Sequence, residues 1–444
     1  MPVLKGFVHF WMLTNMRIRI ENVGPVRRID IDLSKPLIIF TGLNGCGKTY
    51  ISYIIYSFYV LFVNNDDILG WKKVVEKNVT KRAIIKCDKI YNILHEHIKV
   101  LNEMLPYIFN VNKNDSLIKK AQISLLTTKD ELKAIIKGRE CDFTAEDLFV
   151  FHKNSRSFSY SLKNLQGTID DTQLVNYIVL KALLFGNIIE DFETSERGGL
   201  YTFNKELWVG KTMRNEGFPL ESSKLEDASY PLPIKEALNS LGDLTKKFYE
   251  KSRYGFLADK IEDDILKGHL AVKNKNEVWY KRQTMGREIP LFLSSSGVKT
   301  ICSIILFLRH TAMDCSLIII DEPELNLHPY YQVLVARAFS LIINSGIRLI
   351  INTHSDYIIR EINNMIMLSS VPIKKIEKLG YNQDNIIYDD DVCPYYFEFQ
   401  KDNKSVIGRE VDVDKTGFSI KQIDEVINSQ NNTSQKIYEM MEDE

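Results

Sequence analysis

The stretch GLNGCGKT at residues 42–49 fits the pattern G-x-x-x-x-G-K-[ST] in full. It follows an apolar run at 37–40 and precedes a helix-like stretch at 51–63, which is the strand, loop and helix context that a phosphate-binding loop requires. Its glycines let consecutive backbone N–H groups turn inward around phosphates, while the Lys48 ammonium and the Thr49 hydroxyl supply counter-charge and a Mg²⁺ ligand. The pattern predicts a site for ATP and Mg²⁺.

A chance glycine-rich turn is the alternative interpretation, and it is disfavoured because it would rarely have both flanking elements. The residues of this first segment that are predicted to bind nucleotide are Gly42, Asn44, Gly45, Gly47, Lys48, Thr49 and Tyr50.

A second cluster follows about 270 residues later. The apolar run LIII at 317–320 is typical of a buried strand and ends in Asp321 and Glu322. Two adjacent carboxylates at the end of such a strand are costly to desolvate without a cation. We expect Asp321 to hold the Mg²⁺ shell, and Glu322 to orient and deprotonate the attacking water.

Two further motifs complete a recognisable order. The stretch LSSSGVKT at 293–300 would by itself indicate an ordinary serine helix cap, and the strand-like RLIINT at 348–353 leads into His354. The succession of phosphate loop, Ser-Gly helix start, Asp-Glu pair and His resembles that of ATP-binding-cassette (ABC) ATPases. In those proteins the Ser-Gly element grips the γ-phosphate bound by the opposite subunit, and the His senses it.

More specifically, the chain resembles the stand-alone ABC-type ATPases grouped with the OLD, RecF and SMC-like proteins. The resemblance lies in DEPELNLHP at 321–329, NTHSDY at 352–357 and SERG at 195–198. It covers the beginning of the chain and roughly residues 190–370. It implies an α/β P-loop NTPase fold of ABC/SMC-head type, with a mainly helical insertion between the phosphate loop and the signature region.

The resemblance also implies roles for individual residues. It gives catalytic roles to Lys48, Glu322 and His354, and nucleotide contacts to Ser295, Ser296 and Gly297. It gives Mg²⁺ contacts to Thr49 and Asp321, with Glu196 substituting for the glutamine of the Q-loop.

The sequence departs from the transporter cassettes in two places. Only Ser296 and Gly297 remain of their Leu-Ser-Gly-Gly-Gln signature, and His328 stands where many cassettes have the D-loop Asp. The first departure argues against a transporter, and the second leaves the cross-subunit contacts of this loop open.

Four segments are predicted along the chain. Residues 1–63 form the first ATPase lobe, and within it 16–20 and 29–33 alternate as a hairpin. Residues 64–189 form the helical insertion, with a strand pair around 149–151 and 158–160. Residues 190–368 form the second lobe. Residues 369–444 form a small α/β tail with strand patterns at 396–399 and 411–413 and a helix from Ile420.

The tail contains carboxylates that formally match part of a Toprim nuclease site, namely Asp412 with Asp414 and the run at 389–391. A Toprim domain needs an additional Glu on an earlier strand of a larger α/β unit, for which the tail is too short. We therefore expect no nuclease activity in this chain.

Composition indicates a soluble, cytoplasmic protein. The chain of 444 residues is 45% hydrophobic and 26% charged, and no apolar run approaches the 18 or more residues of a membrane span. Six cysteines without C-x-x-C pairing favour a reducing compartment. The apolar residues 1–15 lack the features of a signal peptide, so we expect an upstream start or an arm.

The charge is uneven, although its formal sum is −1. Residues 71–140 hold 15 Lys and Arg against 8 Asp and Glu, whereas 381–444 hold 6 against 15. Such asymmetry marks either a basic face for nucleic acid or a protein partner, or simply two solvated helical surfaces.

The motifs resemble those of ATPases in bacterial anti-phage systems of the Septu and PARIS types. This resemblance implies a head-to-tail homodimer that senses and scaffolds, controlling a separate effector protein such as a nuclease. Two alternatives stay open: a RecF/SMC-like repair clamp that binds DNA, and a nucleotide-locked scaffold with little turnover. Assembly of dimers into larger rings is also left open.

Overall fold

The computed structural model describes a defined part of the chain. Two predictions lie outside it, the arm at 1–15 and the role of Glu196. The described residues are 16–64, 75–77, 82–85, 87–137, 143–145, 149–151, 157–160, 190–195, 197–202, 230–241, 251–273, 277–284, 286–313, 316–402 and 404–442.

The strands of the described residues are β1 (Arg17–Val23), β2 (Val26–Asp32), β3 (Leu37–Gly42), β4 (Val75–Lys77), β5 (Arg82–Ile85), β6 (Gln122–Leu125), β7 (Phe143–Ala145), β8 (Phe149–Phe151), β9 (Ser157–Tyr160), β10 (Glu190–Glu193), β11 (Gly268–Lys273), β12 (Glu277–Arg282), β13 (Glu288–Pro290), β14 (Leu317–Asp321), β15 (Arg348–Asn352), β16 (Val392–Phe399) and β17 (Val406–Glu410).

The α-helices of the same residues are α1 (Lys48–Asn64), α2 (Cys87–Glu103), α3 (Leu105–Phe109), α4 (Lys129–Lys137), α5 (Arg197–Thr202), α6 (Leu232–Leu241), α7 (Gly255–Ile261), α8 (Ser296–Leu306), α9 (Pro329–Asn344), α10 (Asp356–Met367), α11 (Ile373–Ile376) and α12 (Lys421–Glu442). Short 3-10 and π-helical turns join some of them.

A nine-stranded sheet forms the centre of the fold, in the order β10-β14-β15-β3-β16-β17-β2-β1-β6. The first five of these strands are parallel to one another, whereas β16 and β17 pair antiparallel. β1 pairs antiparallel with both β2 and β6. Because parallel strands share one carboxyl edge, the ends of β3, β14 and β15 meet there.

Apolar layers cover both faces of the sheet. Successive side chains of a strand point to opposite faces. In β3, Ile38 and Phe40 belong to a core shared with α1, whereas Leu37 and Ile39 belong to one shared with α8, α9 and α10. Helices on both faces of a parallel sheet explain why β3, β14 and β15 are apolar throughout. The predicted α/β P-loop fold is confirmed by this architecture.

The first hairpin is confirmed, since β1 and β2 pair antiparallel around Gly24. The insertion is less helical than predicted. It contains α2, α3 and α4, but also a five-stranded sheet in the order β4-β5-β9-β8-β7. The predicted strand pair is the β8–β9 pair of that sheet. Residues 82–85 were predicted to belong to a helical segment, because so short a strand carries only a weak periodic signal.

The C-terminal segment differs most from the expectation. Residues 369–444 were predicted as a small tail, yet β16 lies beside the phosphate-loop strand β3, and β17 links it to β2. The strand pattern expected at 411–413 falls outside β17, which ends at Glu410. The boundary at residue 368 therefore does not mark off an independent folding unit.

Among the helices in the described ranges, none is both long and apolar enough to cross a membrane.

The central position of β16 can be tested by truncating one core side chain. The ring of Phe397 is fully buried and meets Phe40 edge-on at 5.5 Å between centroids. Phe397→Ala should lower the free energy of unfolding by about 3–5 kcal/mol, because it leaves a cavity beside β3. Guanidinium unfolding followed by circular dichroism measures this.

Tyr388→Ala is the matched control, since this side chain is 55% exposed and its loss should cost less than about 1 kcal/mol. If Phe397→Ala costs no more than the control, β16 does not belong to the cooperative unit of the main sheet.

Candidate functional site

The phosphate loop joins the end of β3 to the start of α1. Gly45 and Gly47 have φ of +74° and +92°, in the left-handed region that favours glycine. A Cβ at Gly42 would lie 2.6 Å from the carbonyl oxygen of Phe397, and one at Gly47 would lie 2.7 Å from Val26. The loop is therefore fixed between β16 and the first hairpin, and its tip at residues 43–45 is exposed.

Lys48 starts α1 and is 6% exposed. Its Nζ donates hydrogen bonds to the carbonyl oxygens of Gly42 and Leu43, both at 3.1 Å. Desolvation by burial lowers the pKa of the ammonium group, which the neighbouring Cys46, Asp321 and Glu322 partly offset. The ammonium thus stands inside the loop, where phosphate oxygens can replace the carbonyls.

The candidate Mg²⁺ site brings together distant residues. The Thr49 hydroxyl donates to Asp321 Oδ2 at 3.0 Å, and Asn352 Nδ2 donates to Asp321 Oδ1 at 2.7 Å. The Ser52 hydroxyl fixes the Asn352 amide in turn at 2.9 Å. A hydroxyl and one carboxylate suit Mg²⁺, which binds few protein ligands and keeps waters and phosphates as the others.

Glu322 follows Asp321 in an unusual conformation, with φ of +49°. Its N–H donates to the carbonyl oxygen of Asn352 at 2.9 Å. Left-handed backbone is uncommon outside glycine, and such strain clusters at functional sites. The half-exposed Glu322 is thus placed at the carboxyl edge of the sheet next to the Asp321 and Thr49 pair.

Glu324 is a member of the site that the sequence reasoning left without a role. Its carboxylate accepts hydrogen bonds from the Thr353 hydroxyl at 2.9 Å and from the N–H of His354 at 2.6 Å. Burial raises the pKa of Glu324, and these hydrogen bonds oppose the rise. Glu324 therefore ties the loop after β14 to the residue after β15. Asn352 was missed for a related reason, as it read only as the end of an apolar strand.

His354 lines a cavity of about 1050 Å³ together with Gly42 and Asn44 of the phosphate loop. Burial first, and then the charge of Lys48, lowers the pKa of His354 to about 4, although a hydrogen bond with the Gly42 backbone opposes the shift. The imidazole is therefore neutral near pH 7. A neutral ring has one N–H, which can donate a hydrogen bond to a phosphate oxygen, and one acceptor nitrogen, which can receive a hydrogen bond from water.

The Ser-Gly helix start lies in a different cavity of the chain. Ser295 caps α8, accepting a hydrogen bond from the N–H of Val298 at 3.4 Å, and Ser296 opens the helix. Both serines are exposed. Together with Gly297 they line a cavity of about 450 Å³ that also includes Asn326 and Tyr331. The structure thus does not bring Ser295, Ser296 or Gly297 into the cavity of their own phosphate loop.

The ring of Tyr50 is directed away from the phosphate loop. It meets Phe109 edge-on at 5.8 Å between centroids and covers Gly24. Only its backbone belongs to the first turn of α1, so a nucleotide contact through the side chain is not supported. The nucleotide contact of Tyr50 stays a prediction for its backbone alone, because adjacency in a motif does not determine where a side chain points.

The acidic stretches of the C-terminal segment that formally match part of a Toprim site lie in turns. Asp414 accepts a hydrogen bond from the N–H of Thr416 at 2.7 Å, as in an ordinary turn, and 389–391 form a 3-10 turn. In the part of the chain that the structure describes, no group of three or more His, Cys, Asp or Glu side chains is arranged to hold a metal ion.

The chain matches the model of a known protein family. The family model described as AAA ATPase domain matches residues 16–359. A comparison with curated proteins found no match.

Among the solved structures that are similar are three with 10–12% identity. An Smc head bound to the C-winged helix domain of ScpA is 10% identical, with 89% of this chain and 98% of that one covered and a TM-score of 0.38. An Smc head with an extended coiled coil, bound to the C-terminal domain of ScpA and derived from Pyrococcus furiosus, is 12% identical, with 94% and 99% covered and a TM-score of 0.37. The SMC head domain from Thermotoga maritima is 10% identical, with 90% and 100% covered and a TM-score of 0.33.

The neutral state of His354 gives a test based on pH. Because its pKa in the folded chain lies below that of the unfolded chain, unfolding takes up a proton between about pH 6.5 and 4. The free energy of unfolding is therefore not reduced by this residue above about pH 6.5, and it decreases as the pH falls through that window. In His354→Gln this decrease should be smaller by on the order of 2 kcal/mol, allowing for partial exposure. Unfolding titrations at several pH values measure the difference.

Histidine NMR signals provide the control. Burial also lowers the pKa of His97 to about 4, and the charge of Lys48 does not contribute to that shift. Lys48→Ala should therefore raise the pKa of His354 and leave that of His97 unchanged. Equal movement of both signals would contradict the assigned cause.

Proposed function

The chain belongs to the AAA ATPase domain family, and we propose that it binds ATP with Mg²⁺ at the phosphate loop and hydrolyses it. One observation carries the proposal. The Thr49 hydroxyl lies 3.0 Å from the Asp321 carboxylate, although 272 residues separate them in sequence. A hydroxyl after the loop lysine and a carboxylate at the end of the next-but-one strand are the pair that a phosphate-bound Mg²⁺ requires.

The residues of the chain divide the chemistry among them. Lys48 and the backbone N–H groups of the loop hold the β- and γ-phosphates, and Thr49 and Asp321 would hold Mg²⁺. When bound, Mg²⁺ neutralises phosphate charge. Glu322 takes a proton from the attacking water, and the neutral His354 contacts the γ-phosphate. Each of these groups lies at the carboxyl edge of the parallel strands.

We also propose a head-to-tail homodimer. Ser296 and Gly297 lie in a separate cavity from the phosphate loop of their own chain, and the start of α8 is exposed. A helix start offers free N–H groups and a favourable dipole to an anion. A second copy in head-to-tail orientation brings this element to the γ-phosphate and completes the site, so hydrolysis depends on assembly.

Two substitutions test binding and hydrolysis separately. Lys48→Ala should abolish ATP binding, because it removes the only loop side chain that supplies positive charge to the phosphates. Glu322→Gln should retain binding and lower the hydrolysis rate about 10²- to 10⁴-fold, because the general base is lost. It should also accumulate an ATP-bound dimer. Phosphate release and light scattering after size exclusion measure these outcomes. Hydrolysis by Glu322→Gln at the wild-type rate would refute the role of Glu322.

Mixing variants tests the head-to-tail arrangement. Ser296→Arg should be inactive alone, because its side chain obstructs the opposing site. An equal mixture with Lys48→Ala contains heterodimers in which one composite site is intact, so activity should return in part. If the mixture stays as inactive as its components, the phosphate loop and the Ser-Gly element do not form shared sites.

We further propose that ATP turnover controls a separate effector protein, such as a nuclease, in bacterial defence against phage. This part rests on the resemblance of motifs to ATPases of that kind. Opening and closing of a nucleotide-bound dimer provides two states that a partner can distinguish. If the chain is instead a scaffold with little turnover, the wild-type protein will hydrolyse ATP no faster than Glu322→Gln.

Expression of the chain with its neighbouring genes in phage-challenged bacteria tests the biological role. Plaque formation should fall at least about 10-fold with the wild-type protein and return with Lys48→Ala, since a phosphate loop without its lysine cannot switch. Equal protection by both proteins would contradict an ATP-controlled effector. Salt-sensitive binding of duplex DNA, lost when the exposed Lys113, Lys119 and Lys120 are changed to Ala, would instead favour a repair clamp.

A further inference from the structure

A single buried side chain connects three parts of the candidate site. Arg197 begins α5 and is 2% exposed. Its guanidinium donates hydrogen bonds to four backbone carbonyl oxygens. They belong to Thr300 at 3.0 Å, Thr194 at 3.0 Å, Asp321 at 2.7 Å and Glu322 at 2.9 Å.

We propose that Arg197 is a positioning residue for ATP hydrolysis, which holds Glu322 in its reactive conformation and couples that conformation to the position of α8. The inference rests on the proposed ATPase function and deepens it. It assigns a role to a residue that touches neither phosphate nor the attacking water.

Arg197 is a cation in the protein interior, and its burial supports a specific role. A buried charge is expensive unless it is fully hydrogen-bonded. Arg197 directs these hydrogen bonds to carbonyl oxygens, and the negative charges of Glu193 and Asp321 also favour the cation. Only the planar guanidinium has donors arranged to reach four acceptors at once, so a lysine cannot replace it fully.

The second support is the conformation of Glu322. Its φ of +49° is disfavoured for a residue with a side chain. The N–H of Glu322 is held by the carbonyl oxygen of Asn352, and its own carbonyl oxygen is held by Arg197. The two contacts fix the peptide groups on both sides of the Cα, and so determine the direction in which the carboxylate leaves the backbone. Without Arg197, the residue is free to relax toward an ordinary conformation.

The third support is the contact with α8. The Thr300 carbonyl belongs to the first turns of the helix that Ser296 opens. The Thr300 hydroxyl also donates to the carbonyl oxygen of Leu325 at 3.3 Å, beyond Glu322 in the same loop. A shift of α8 on binding a γ-phosphate from the opposite subunit would therefore be transmitted to Glu322 through one rigid side chain. Arrival of the partner and activation of the general base become linked.

Arg197→Gln and Arg197→Lys test this role in the full-length protein. Arg197→Gln should lower kcat about 10- to 100-fold, since misplacing a reactive group by about 1 Å has that effect, and change KM for ATP less than about threefold. Arg197→Lys keeps the charge and should recover part of the rate. Arg337→Gln is the matched control, because it removes an Arg from a buried carboxylate, Glu361, and neither residue lines the cavity of the phosphate loop. It should lower stability and leave kcat unchanged.

A double-mutant cycle distinguishes positioning from general structural support. In the Glu322→Gln background, single-turnover hydrolysis of labelled ATP should not slow further when Arg197→Gln is added, because the two residues act as one unit. A further loss equal to that in the wild-type background would overturn the proposal. So would a wild-type kcat in Arg197→Gln, or a rise in KM that accounts for the whole effect.

The controls separate this proposal from the proposed function. If the wild-type protein releases no more phosphate than Lys48→Ala, ATP hydrolysis itself is disproved. If the wild-type protein is active and Arg197→Gln equals it, only the role of Arg197 is lost. A variant that does not fold is identified by its thermal unfolding, and Arg197→Lys then carries the test.

Discussion

The Asp321 carboxylate is the point on which the rest of the site depends. It accepts hydrogen bonds from Thr49 and Asn352, and so joins the first helix to the ends of two parallel strands. A buried carboxylate at the end of an apolar strand needs such partners, because its desolvation is otherwise unfavourable. The same contacts that satisfy Asp321 also place the phosphate loop opposite Glu322 and His354.

Around Asp321, hydrogen bonds to backbone groups hold the site in place alongside contacts between side chains. The N–H and carbonyl of Glu322 are held by Asn352 and Arg197, and the N–H of His354 is held by Glu324. Each contact fixes a main-chain conformation from which the side chain of a proposed catalytic residue projects. Preorganisation of this kind reduces the rearrangement required when the substrate arrives. It also explains why Arg197, which is not proposed to touch phosphate, is buried here.

Sequence patterns were sufficient for the parts of the site that follow local rules. The loop at 42–49, the strand ending in Asp321 and the strand before His354 each combine a short motif with an apolar run. Asn352, Glu324 and Arg197 were not assigned, because their roles come from contacts with backbone groups far away in sequence. The place of β16 was missed for the same reason. A strand pattern shows that a strand exists, whereas its neighbours depend on the whole topology.

The order of strands has a consequence during protein synthesis. Both neighbours of β3, which are β15 and β16, lie roughly 300 residues or more downstream of it. At about 5–20 residues per second, the ribosome needs on the order of tens of seconds to deliver them. During that interval an apolar strand and its glycine loop leave the exit tunnel without pairing partners. Pairing of β3, and with it folding of the nucleotide site, therefore waits until these distant strands have been synthesised.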